Sequence, residues 1–400
     1  MKILMLGWEL PPHNSGGLGV ACYQLCKELS TKNVDIEFIL PYEAQHNASF
    51  MTIKTAFPSD EVNLIKKVGA YDSYLYSYID GKTETISIFD QHEKYAQGVD
   101  TLTKYREYDI IHAHDWLTFR GAIKAKLNTK KPLIVHIHAT EFDRAGGKPG
   151  NPLVEEIEYT GMMLADRIIA VSQATKNLIT DRYHIDPEKI DVVHNNIDPS
   201  YYQSVDSEND YKYLSVMKDN GYKIVSNIGR LTAQKGLYNY LIAAKEVVKR
   251  EPKTIFLVVG SGEQLYELIE HSAGLGIAKN VIFVDFQRGK RWRDAFKISD
   301  LFVLPSVSEP FGLTPLEAIH FGVPVLVTKQ SGVSEILHHC LKVDFWDVNQ
   351  MANQILAVLR NNSLQQELRK NASKDINGAG WGASANKIIN IYTANVGTCS

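Results

Sequence analysis

The sequence is poor in cysteine, and this scarcity excludes one class of fold. Four of its 400 residues are cysteine. Their spacing gives neither a disulfide framework nor a zinc-binding pattern, so we expect the reduced thiols of a cytoplasmic protein. These cysteines are Cys22, Cys26, Cys340 and Cys399.

The sequence also lacks long apolar segments and an excess of either charge. No stretch approaches the roughly 18 apolar residues of a membrane-spanning helix, and the apolar run at 1–7 is too short for a signal peptide. The net charge of −3 gives no general attraction to nucleic acid. We therefore expect no nucleic-acid partner and no membrane-spanning helix, while peripheral contact at the inner membrane face stays open.

What the sequence does contain is an alternation of short apolar runs with longer amphipathic segments. This alternation predicts parallel sheets with helices on both faces, which is an α/β fold. The predicted strands are 2–6, 34–40, 109–112, 133–138, 167–171, 190–193, 223–228, 254–259, 280–284, 300–304 and 323–327. The predicted helices are 19–31, 116–127, 152–165, 172–182, 236–250, 263–274, 315–321 and 347–359.

A polar, aperiodic stretch at 196–222 divides these elements into two groups. Eleven strands are also too many for one comfortable doubly wound sheet. We therefore predict Rossmann-like domains at 1–196 and 220–375, followed by a C-terminal segment at 376–400 with an amphipathic helix. Within the first domain, 42–92 has mixed β character and no clear helix.

Ligands of such sheets bind beyond the carboxyl ends of the strands, and the most informative motif follows the strand at 300–304. It contains Glu309 and Glu317 in the sequence Glu-Pro-Phe-Gly-Leu-Thr-Pro-Leu-Glu. Thr314 and Glu317 fit a helix capping box, which would explain Glu317 without any function. The loop before this helix would direct backbone N–H groups outward, an arrangement that suits a phosphate. Glu309 beside such a site needs a hydroxyl or a cation, unless it is merely solvated.

A second motif, Gly-Arg-Leu-Thr-Ala-Gln-Lys-Gly at 229–236, follows the strand at 223–228. Arg230 and Lys235 precede a helix whose N-terminal dipole end repels cations. Both side chains are better explained by an anion between them, because Arg and Lys are the usual phosphate ligands. The alternative is a pair of solvated surface cations.

Two further clusters follow strands in the first domain. Gly16 and Gly17 lie between the first strand and the first helix, where glycine allows a ligand to approach the backbone. His112, His114, His136 and His138 form two His-x-His pairs. Alternate residues share a strand face, so the four imidazoles could approach one metal ion. The alternative is that one of them lines a cleft and the others are packed and hydrogen-bonded.

Taken together, these motifs resemble the retaining family 4 glycosyltransferases of the GT-B fold. Two motifs match the family pattern, the Glu-x(7)-Glu segment and the Gly-Arg-x(4)-Lys-Gly loop. Two further segments are similar to the glycogen synthase-like members, namely the opening Trp-Glu-Leu-Pro-Pro-His-Asn-Ser-Gly-Gly-Leu-Gly and His-Ala-His-Asp-Trp at 112–116. It implies that the two sheets face each other across a cleft. The first domain would bind the acceptor, the second would bind a nucleotide sugar, and the C-terminal helix would cross back to the first domain.

The resemblance also assigns roles to individual residues. Arg230 and Lys235 would neutralise the donor diphosphate, Glu309 would hold hydroxyls of the donor sugar, and Glu317 would hold the ribose hydroxyls. His138 would lie near the C6 hydroxyl of the sugar. The backbone of the donor site would come from Gly16, Gly17, Gly229, Phe311, Gly312, Leu313 and Thr314. The side chains of Glu141, Asp143 and Arg144 are candidates for acceptor binding, although they equally fit a local ion-pair cluster.

The implied reaction is the transfer of a hexose, expected to be glucose, from a UDP- or ADP-linked donor to a carbohydrate or lipid-linked hydroxyl. Neither a metal nor a cofactor is expected, because the cations and helix dipoles take the place of a metal ion. The sequence departs from the family at Asn195-Asn196, where Asn-Gly is usual, and at Ser334, where proline is common. Glycogen and starch synthases carry a lysine where this chain has Asn14, which puts strict glycogen synthase activity in doubt.

Three alternatives follow from the same residues. A sugar phosphorylase on this fold would use inorganic phosphate, and a metal-dependent hydrolase would use the two His-x-His pairs. A non-catalytic subunit would bind the nucleotide sugar without transferring or hydrolysing it.

Overall fold

The structure, a computed structural model, describes residues 1–13, 16–57, 74–79, 82–202, 208–377 and 380–396. For residues 74–79, 82–86 and 377 we describe the backbone alone. The Asn14 position and Cys399 lie outside the described residues. The chain forms two compact units. The first contains Met1–Glu141, Gly150–Asn196 and the segment from Trp381, and the second contains Phe142–Pro149 and Ile197–Gly380.

The first unit is built on a seven-stranded parallel sheet of order β3-β2-β1-β6-β7-β8-β9. The order reverses between β1 and β6, and ligands of open α/β sheets bind outside the strand ends at such a reversal. A separate antiparallel hairpin pairs β4 with β5. The strands are β1 (Lys2–Leu6), β2 (Asp35–Leu40), β3 (Thr52–Thr55), β4 (Tyr74–Ile79), β5 (Lys82–Ser87), β6 (Ile110–His114), β7 (Leu133–Ile137), β8 (Arg167–Ala170) and β9 (Ile190–Val192).

Helices with an apolar stripe pack around this sheet. The helices up to the end of the sheet are α1 (Gly17–Thr31), α2 (Ile88–Thr103), α3 (Trp116–Thr129), α4 (Glu141–Arg144), α5 (Pro152–Leu164) and α6 (Gln173–Tyr183). Of these, the short α4 is grouped with the second unit from Phe142 onward. The last helix of the chain, Trp381–Val396, packs against α1 in this same unit. Its Ser384 hydroxyl donates to the backbone oxygen of His194 at 2.7 Å.

The second unit contains a six-stranded parallel sheet of order β12-β11-β10-β13-β14-β15. This is the order of a doubly wound nucleotide-binding sheet, and it reverses between β10 and β13. The strands are β10 (Lys223–Ile228), β11 (Thr254–Val259), β12 (Val281–Val284), β13 (Leu301–Leu304), β14 (Val325–Thr328) and β15 (Leu341–Val343). The helices are α7 (Lys212–Asp219), α8 (Leu237–Arg250), α9 (Leu265–Gly274), α10 (Gly289–Lys297), α11 (Thr314–His320), α12 (Val348–Arg360) and α13 (Asn362–Asn377), and the returning helix becomes α14.

The two parallel sheets confirm the predicted α/β architecture, but several elements escaped sequence prediction. The helix α2 lies partly in the segment where no helix was expected. Its buried face includes Gln91, His92 and Thr103, so the apolar periodicity that identifies a helix is interrupted. The helix α7 lies in the stretch predicted as a break, and Leu214 is its one buried residue. None of the described helices is long and apolar enough to span a bilayer.

Candidate active site

The predicted donor residues of the second unit lie at the reversal of its strand order. Gly229 and Arg230 follow β10, and Glu309 belongs to the loop after β13. Because β10 and β13 are adjacent parallel strands, their carboxyl ends lie side by side at one edge of the sheet. The sheet therefore brings the two motifs to the same edge, although Lys235 and Glu309 are 74 residues apart in sequence.

A glycine holds these two loops in contact. Gly236 has a φ of +67°, and a Cβ atom on it would lie 2.1 Å from the backbone oxygen of Pro305. The backbone N–H of Val307 donates to the backbone oxygen of Gln234 at 2.9 Å. Position 236 therefore requires glycine for both its backbone conformation and its close approach.

Lys235 and Glu309 form an ion pair across these loops. The Nζ atom of Lys235 lies 2.5 Å from Oε2 of Glu309, and the hydroxyl of Ser306 donates to the same oxygen at 3.0 Å. The two charged side chains are 16% and 10% exposed. The sequence alone had left open that each side chain is simply solvated, and the low exposure rules this out for both. The two loops therefore hold a cation and a carboxylate at a fixed separation. Arg230 is exposed at the end of β10.

The backbone around Glu309 is fixed by the neighbouring loop after β14. Glu309 donates its N–H to the oxygen of Gln330 at 3.1 Å and accepts from the N–H of Gly332 at 2.8 Å. Phe311 accepts from the N–H of Val333 at 2.7 Å. Gly312 follows with a φ of +98°, where a side chain would be strained. Leu313 and Thr314 then begin α11, whose seven residues give only a short dipole.

The predicted capping box at α11 is wrong. The N-cap position is Leu313, which has a helical backbone conformation, and no side chain caps the helix. Instead, the hydroxyl of Tyr202 donates to Oε1 of Glu317 at 3.0 Å. Glu317 is 8% exposed, and burial raises its pKa to about 7, although the Tyr202 hydrogen bond acts in the opposite direction. Without a capping role, the local fold gives no reason for this buried carboxylate.

A third loop supports Gly229 and was missed by the sequence analysis. Cβ atoms on Gly260 and Gly262 would lie 1.8 Å from the oxygen of Gly229 and 2.3 Å from that of Leu231. Leu231 donates its N–H to the oxygen of Ser261 at 2.9 Å. The available signal was the sequence Gly-Ser-Gly directly after a predicted strand.

In the first unit, the glycine pair lies near a carboxylate that the sequence analysis also missed. The N–H of Gly16 donates to Oε2 of Glu9 at 3.0 Å, and Glu9 is 3% exposed. A Cβ on Gly17 would meet no atom within 4 Å. The space beside Gly17 would therefore allow a ligand to approach its backbone, whereas the N–H of Gly16 already donates to Glu9.

Three of the four histidines lie on β6 and β7, where His114 is paired in register with His136, and His138 directly follows β7. His112 Nε2 lies 3.3 Å from His136 Nδ1, and His114 Nδ1 lies 2.9 Å from His138 Nε2. Burial lowers the pKa of all four imidazoles, which are therefore neutral at physiological pH. A neutral imidazole offers one donor and one acceptor, so the two facing nitrogens of each pair can satisfy one another. Among the described residues, Nε2 of His136 and Nδ1 of His138 are buried without a hydrogen-bond partner.

This histidine cluster also contains the described groups that could hold a metal ion. Ring nitrogens of His112, His114 and His136 all lie within 4.8 Å of one another, as do ligand atoms of Cys22, His114 and His138. An ion bound there would have to replace the direct contacts between imidazoles. His138 is also fixed through its backbone, because its N–H donates to Oδ1 of Asp115 at 2.6 Å.

Two of the three candidate acceptor residues have hydrogen-bonded side chains. Oε1 of Glu141 accepts from the N–H of Asn151 at 2.9 Å in the first unit. Asp143 belongs to the second unit, is 3% exposed, and accepts from the hydroxyl of Ser308 at 2.5 Å. Arg144 ends α4 and is also grouped with the second unit. The Asp143 carboxylate is therefore committed to the loop that carries Glu309.

Comparison with known proteins agrees with the architecture of both units. Residues 15–201 match the model of Glycosyltransferase Family 4, and residues 215–375 match that of Glycosyl transferases group 1. An uncharacterised glycosyltransferase of Methanocaldococcus jannaschii is 28% identical over 98% of both chains. A glycogen synthase of Mycobacterium tuberculosis is 26% identical over 84% of this chain and 80% of its own.

A solved structure shows the same fold. The sucrose-phosphate synthase of Thermosynechococcus elongatus superposes with a TM-score of 0.76, covers 98% of each chain and is 16% identical. Two family models match successive parts of the chain, residues 15–201 and 215–375, and the chain contains two doubly wound sheets. The chain is a glycosyltransferase of the GT-B type.

Proposed function

We propose that this glycosyltransferase transfers a hexose, with retention of configuration, from a nucleotide diphosphate sugar to a hydroxyl of a carbohydrate or glycolipid. The proposed donor is UDP- or ADP-linked glucose. The observation that carries the proposal is the ion pair between Lys235 and Glu309 at the reversal of strand order in the second unit. It combines a cation for phosphate with a carboxylate for sugar hydroxyls at the usual ligand position of such a sheet.

The proposed catalytic contribution of Lys235 and Arg230 is electrostatic. Glycosyl transfer breaks the bond between the anomeric carbon and the diphosphate, so negative charge grows on the leaving group. Cations fixed in advance stabilise this charge without reorganising during the reaction. The contact with Glu309 fixes Lys235. Arg230 is exposed at the end of β10, and its guanidinium has a fork geometry that suits phosphate.

Glu309 is the proposed ligand of the donor sugar, and its surroundings support this role. Two donors, Lys235 and Ser306, already contact Oε2. A carboxylate has about four acceptor positions, so Glu309 keeps capacity for the hydroxyls of a sugar. His138 is the proposed contact to the C6 hydroxyl. Its neutral imidazole suits a hydroxyl partner better than a phosphate.

Glu317 is the proposed ligand of the ribose. A buried carboxylate with a raised pKa is unfavourable for folding, and such groups are common at functional sites. In retaining transfer, the acceptor attacks from the side of the leaving group, and a phosphate oxygen takes its proton. This route needs no protein general base.

The decisive experiment is a panel of nucleotide sugars with two readouts, thermal stabilisation and slow donor hydrolysis. A donor at one hundred times its dissociation constant should stabilise the fold by about 2.7 kcal/mol. UDP-glucose or ADP-glucose, whichever is the donor, should stabilise the wild type but not Lys235→Ala. The exposed Lys249→Ala serves as a matched control.

Other outcomes would support the alternatives. Cleavage of a disaccharide by inorganic phosphate, without any nucleotide, would indicate a phosphorylase. Donor binding without hydrolysis or transfer to any offered acceptor would indicate a non-catalytic subunit. An inverted anomeric configuration in the product would contradict retention.

A further inference from the structure

The contact between Tyr202 and Glu317 extends the proposed site to a residue outside its motifs. We propose that Tyr202 is a positioning residue, whose hydroxyl holds the Glu317 carboxylate in the orientation that accepts the two ribose hydroxyls of the donor. This inference rests on the proposed function, because it assigns the substrate group that Glu317 binds.

Aromatic packing around the Tyr202 ring fixes the position of its hydroxyl. Tyr202 ends a short 3-10 turn, Pro199–Tyr202, and is 5% exposed. Its ring is stacked on Trp292 with centroids 5.6 Å apart and an angle of 28° between the planes, and it meets Phe321 edge to face at 6.1 Å. A ring packed in this way has few alternative rotamers. The hydroxyl is therefore held 3.0 Å from Oε1 of Glu317 rather than reaching it by chance.

The contact uses only part of the capacity of the carboxylate. Tyr202 donates one proton to Oε1, and an ionised carboxylate can accept about four hydrogen bonds over its two oxygens. Acceptor positions remain for two neighbouring hydroxyls. A ribose offers such a pair, because its 2′- and 3′-hydroxyls lie on adjacent carbons.

The hydroxyl also favours the form of Glu317 that binds hydroxyls as an acceptor. Burial raises the pKa of Glu317 to about 7, and the Tyr202 hydrogen bond lowers it. Burial and the Glu317 charge raise the pKa of Tyr202, so it remains a donor at physiological pH. The other titratable groups that face Tyr202 are Asp198 and Tyr201 on its own segment and the ring of His320 on α11.

The test removes the single hydroxyl and compares nucleotides with and without ribose hydroxyls. Tyr202→Phe keeps the ring and its packing. Dissociation constants are measured by calorimetry, with displacement for weak ligands, for UDP, ADP and their 2′,3′-dideoxy forms. Tyr213→Phe is the control, because Tyr213 is 69% exposed on α7. All three proteins are compared between about pH 6 and about pH 8.5.

We expect Tyr202→Phe to weaken binding of the preferred ribonucleotide by about tenfold, the size of one hydrogen bond to a charged group. The dideoxy form should bind the variant and the wild type equally, since it makes no ribose contact with Glu317. The loss should be largest at low pH and shrink as pH rises, because the pKa of Glu317 moves upward without the hydroxyl. In turnover, KM for the donor should rise more than kcat falls.

Two results would overturn the inference while leaving the proposed function intact. Equal weakening of the ribose and dideoxy forms would show that Tyr202 only supports the fold. Tighter ribonucleotide binding by Tyr202→Phe would show that the hydroxyl competes with the ligand for Glu317. The proposed function itself is tested separately by Arg230→Ala, since a wild-type affinity for nucleotide diphosphate in that variant would contradict the diphosphate site.

Discussion

Lys235 and Glu309, 74 residues apart in sequence, place Nζ and Oε2 2.5 Å from each other at the carboxyl ends of β10 and β13. The Lys235 ammonium and the Glu309 carboxylate each compensate the partly buried charge of the other. Glu309 fixes a cation where a diphosphate would lie, and Lys235 compensates a carboxylate that is 10% exposed. The pair therefore couples the stability of the loops to the chemistry proposed for them.

Replacing Lys235 or Arg230 by alanine should remove on the order of 2–4 kcal/mol of transition-state stabilisation. This loss appears as a lower kcat/KM. The physical reason is the loss of a fixed positive charge beside the developing diphosphate. Steady-state kinetics with the donor identified by the panel measures this loss. The control is Lys249→Ala, whose side chain is 57% exposed and pairs with Glu246 on α8. Near wild-type turnover in both Lys235→Ala and Arg230→Ala would contradict the role proposed for these two cations.

The same pair makes a prediction about stability. Lys235→Ala should also lower the free energy of unfolding by about 1–3 kcal/mol, because Glu309 is left without its cation. The double variant Lys235→Ala/Glu309→Gln should recover most of this loss in urea unfolding but none of the activity. Recovery of activity by the double variant would contradict a direct role for the lysine.

Glu317 should make stability depend on pH. Its pKa rises from 4.5 to about 7 on folding, so between these values the folded chain binds more proton than the unfolded chain. The stability that this carboxyl contributes to the folded chain is fully present below about pH 4.5 and is lost as pH rises through about 7. Glu317→Gln removes this dependence. As pH rises across that window, the free energy of unfolding of the variant should therefore increase relative to that of the wild type by on the order of 3 kcal/mol.

Urea unfolding between about pH 5 and about pH 8 measures the larger part of this gain. Glu270→Gln is the matched control, because Glu270 is exposed on α9. Parallel pH dependences for the wild type and Glu317→Gln would show that the buried carboxyl does not titrate in this range.

Gly236→Ala should destabilise the fold and reduce donor binding. The left-handed backbone costs about 1–2 kcal/mol for a residue with a Cβ, and the contact at 2.1 Å with the oxygen of Pro305 must be relieved as well. Gly276→Ala separates these effects, because Gly276 has a φ of +76° and its Cβ would meet no atom within 4 Å. Thermal unfolding should therefore show a larger loss for position 236, and donor titration should show a loss there alone.

The histidine cluster should hold no stoichiometric metal in the active enzyme. The contacts between His112 and His136 and between His114 and His138 already satisfy the facing nitrogens. Elemental analysis should find far less than one equivalent of zinc or manganese, and EDTA should leave turnover unchanged. One equivalent of zinc that EDTA removes together with activity, and that His136→Asn reduces, would instead favour the metal-dependent hydrolase.

The sequence by itself determined the architecture and the location of the proposed donor site. Short apolar strands alternate with amphipathic helices, and the motifs follow strands. Because parallel strands end at a common edge, Arg230, Lys235 and Glu309 could be assigned to one site before any contact was known. The prediction failed where burial did not follow hydrophobicity, as in α2, which buries the polar side chains of Gln91 and His92.

Only the tertiary structure decided what surrounds each charged group. Thr314 and Glu317 fit the spacing of a capping box, but α11 begins without that cap and Glu317 contacts Tyr202, 115 residues away in sequence. The sequence likewise assigned no role to Glu9, although its carboxylate accepts from the N–H of Gly16. Local sequence encodes backbone preferences and periodicity, whereas burial and the partner of a buried carboxylate depend on which distant segments the fold packs against it.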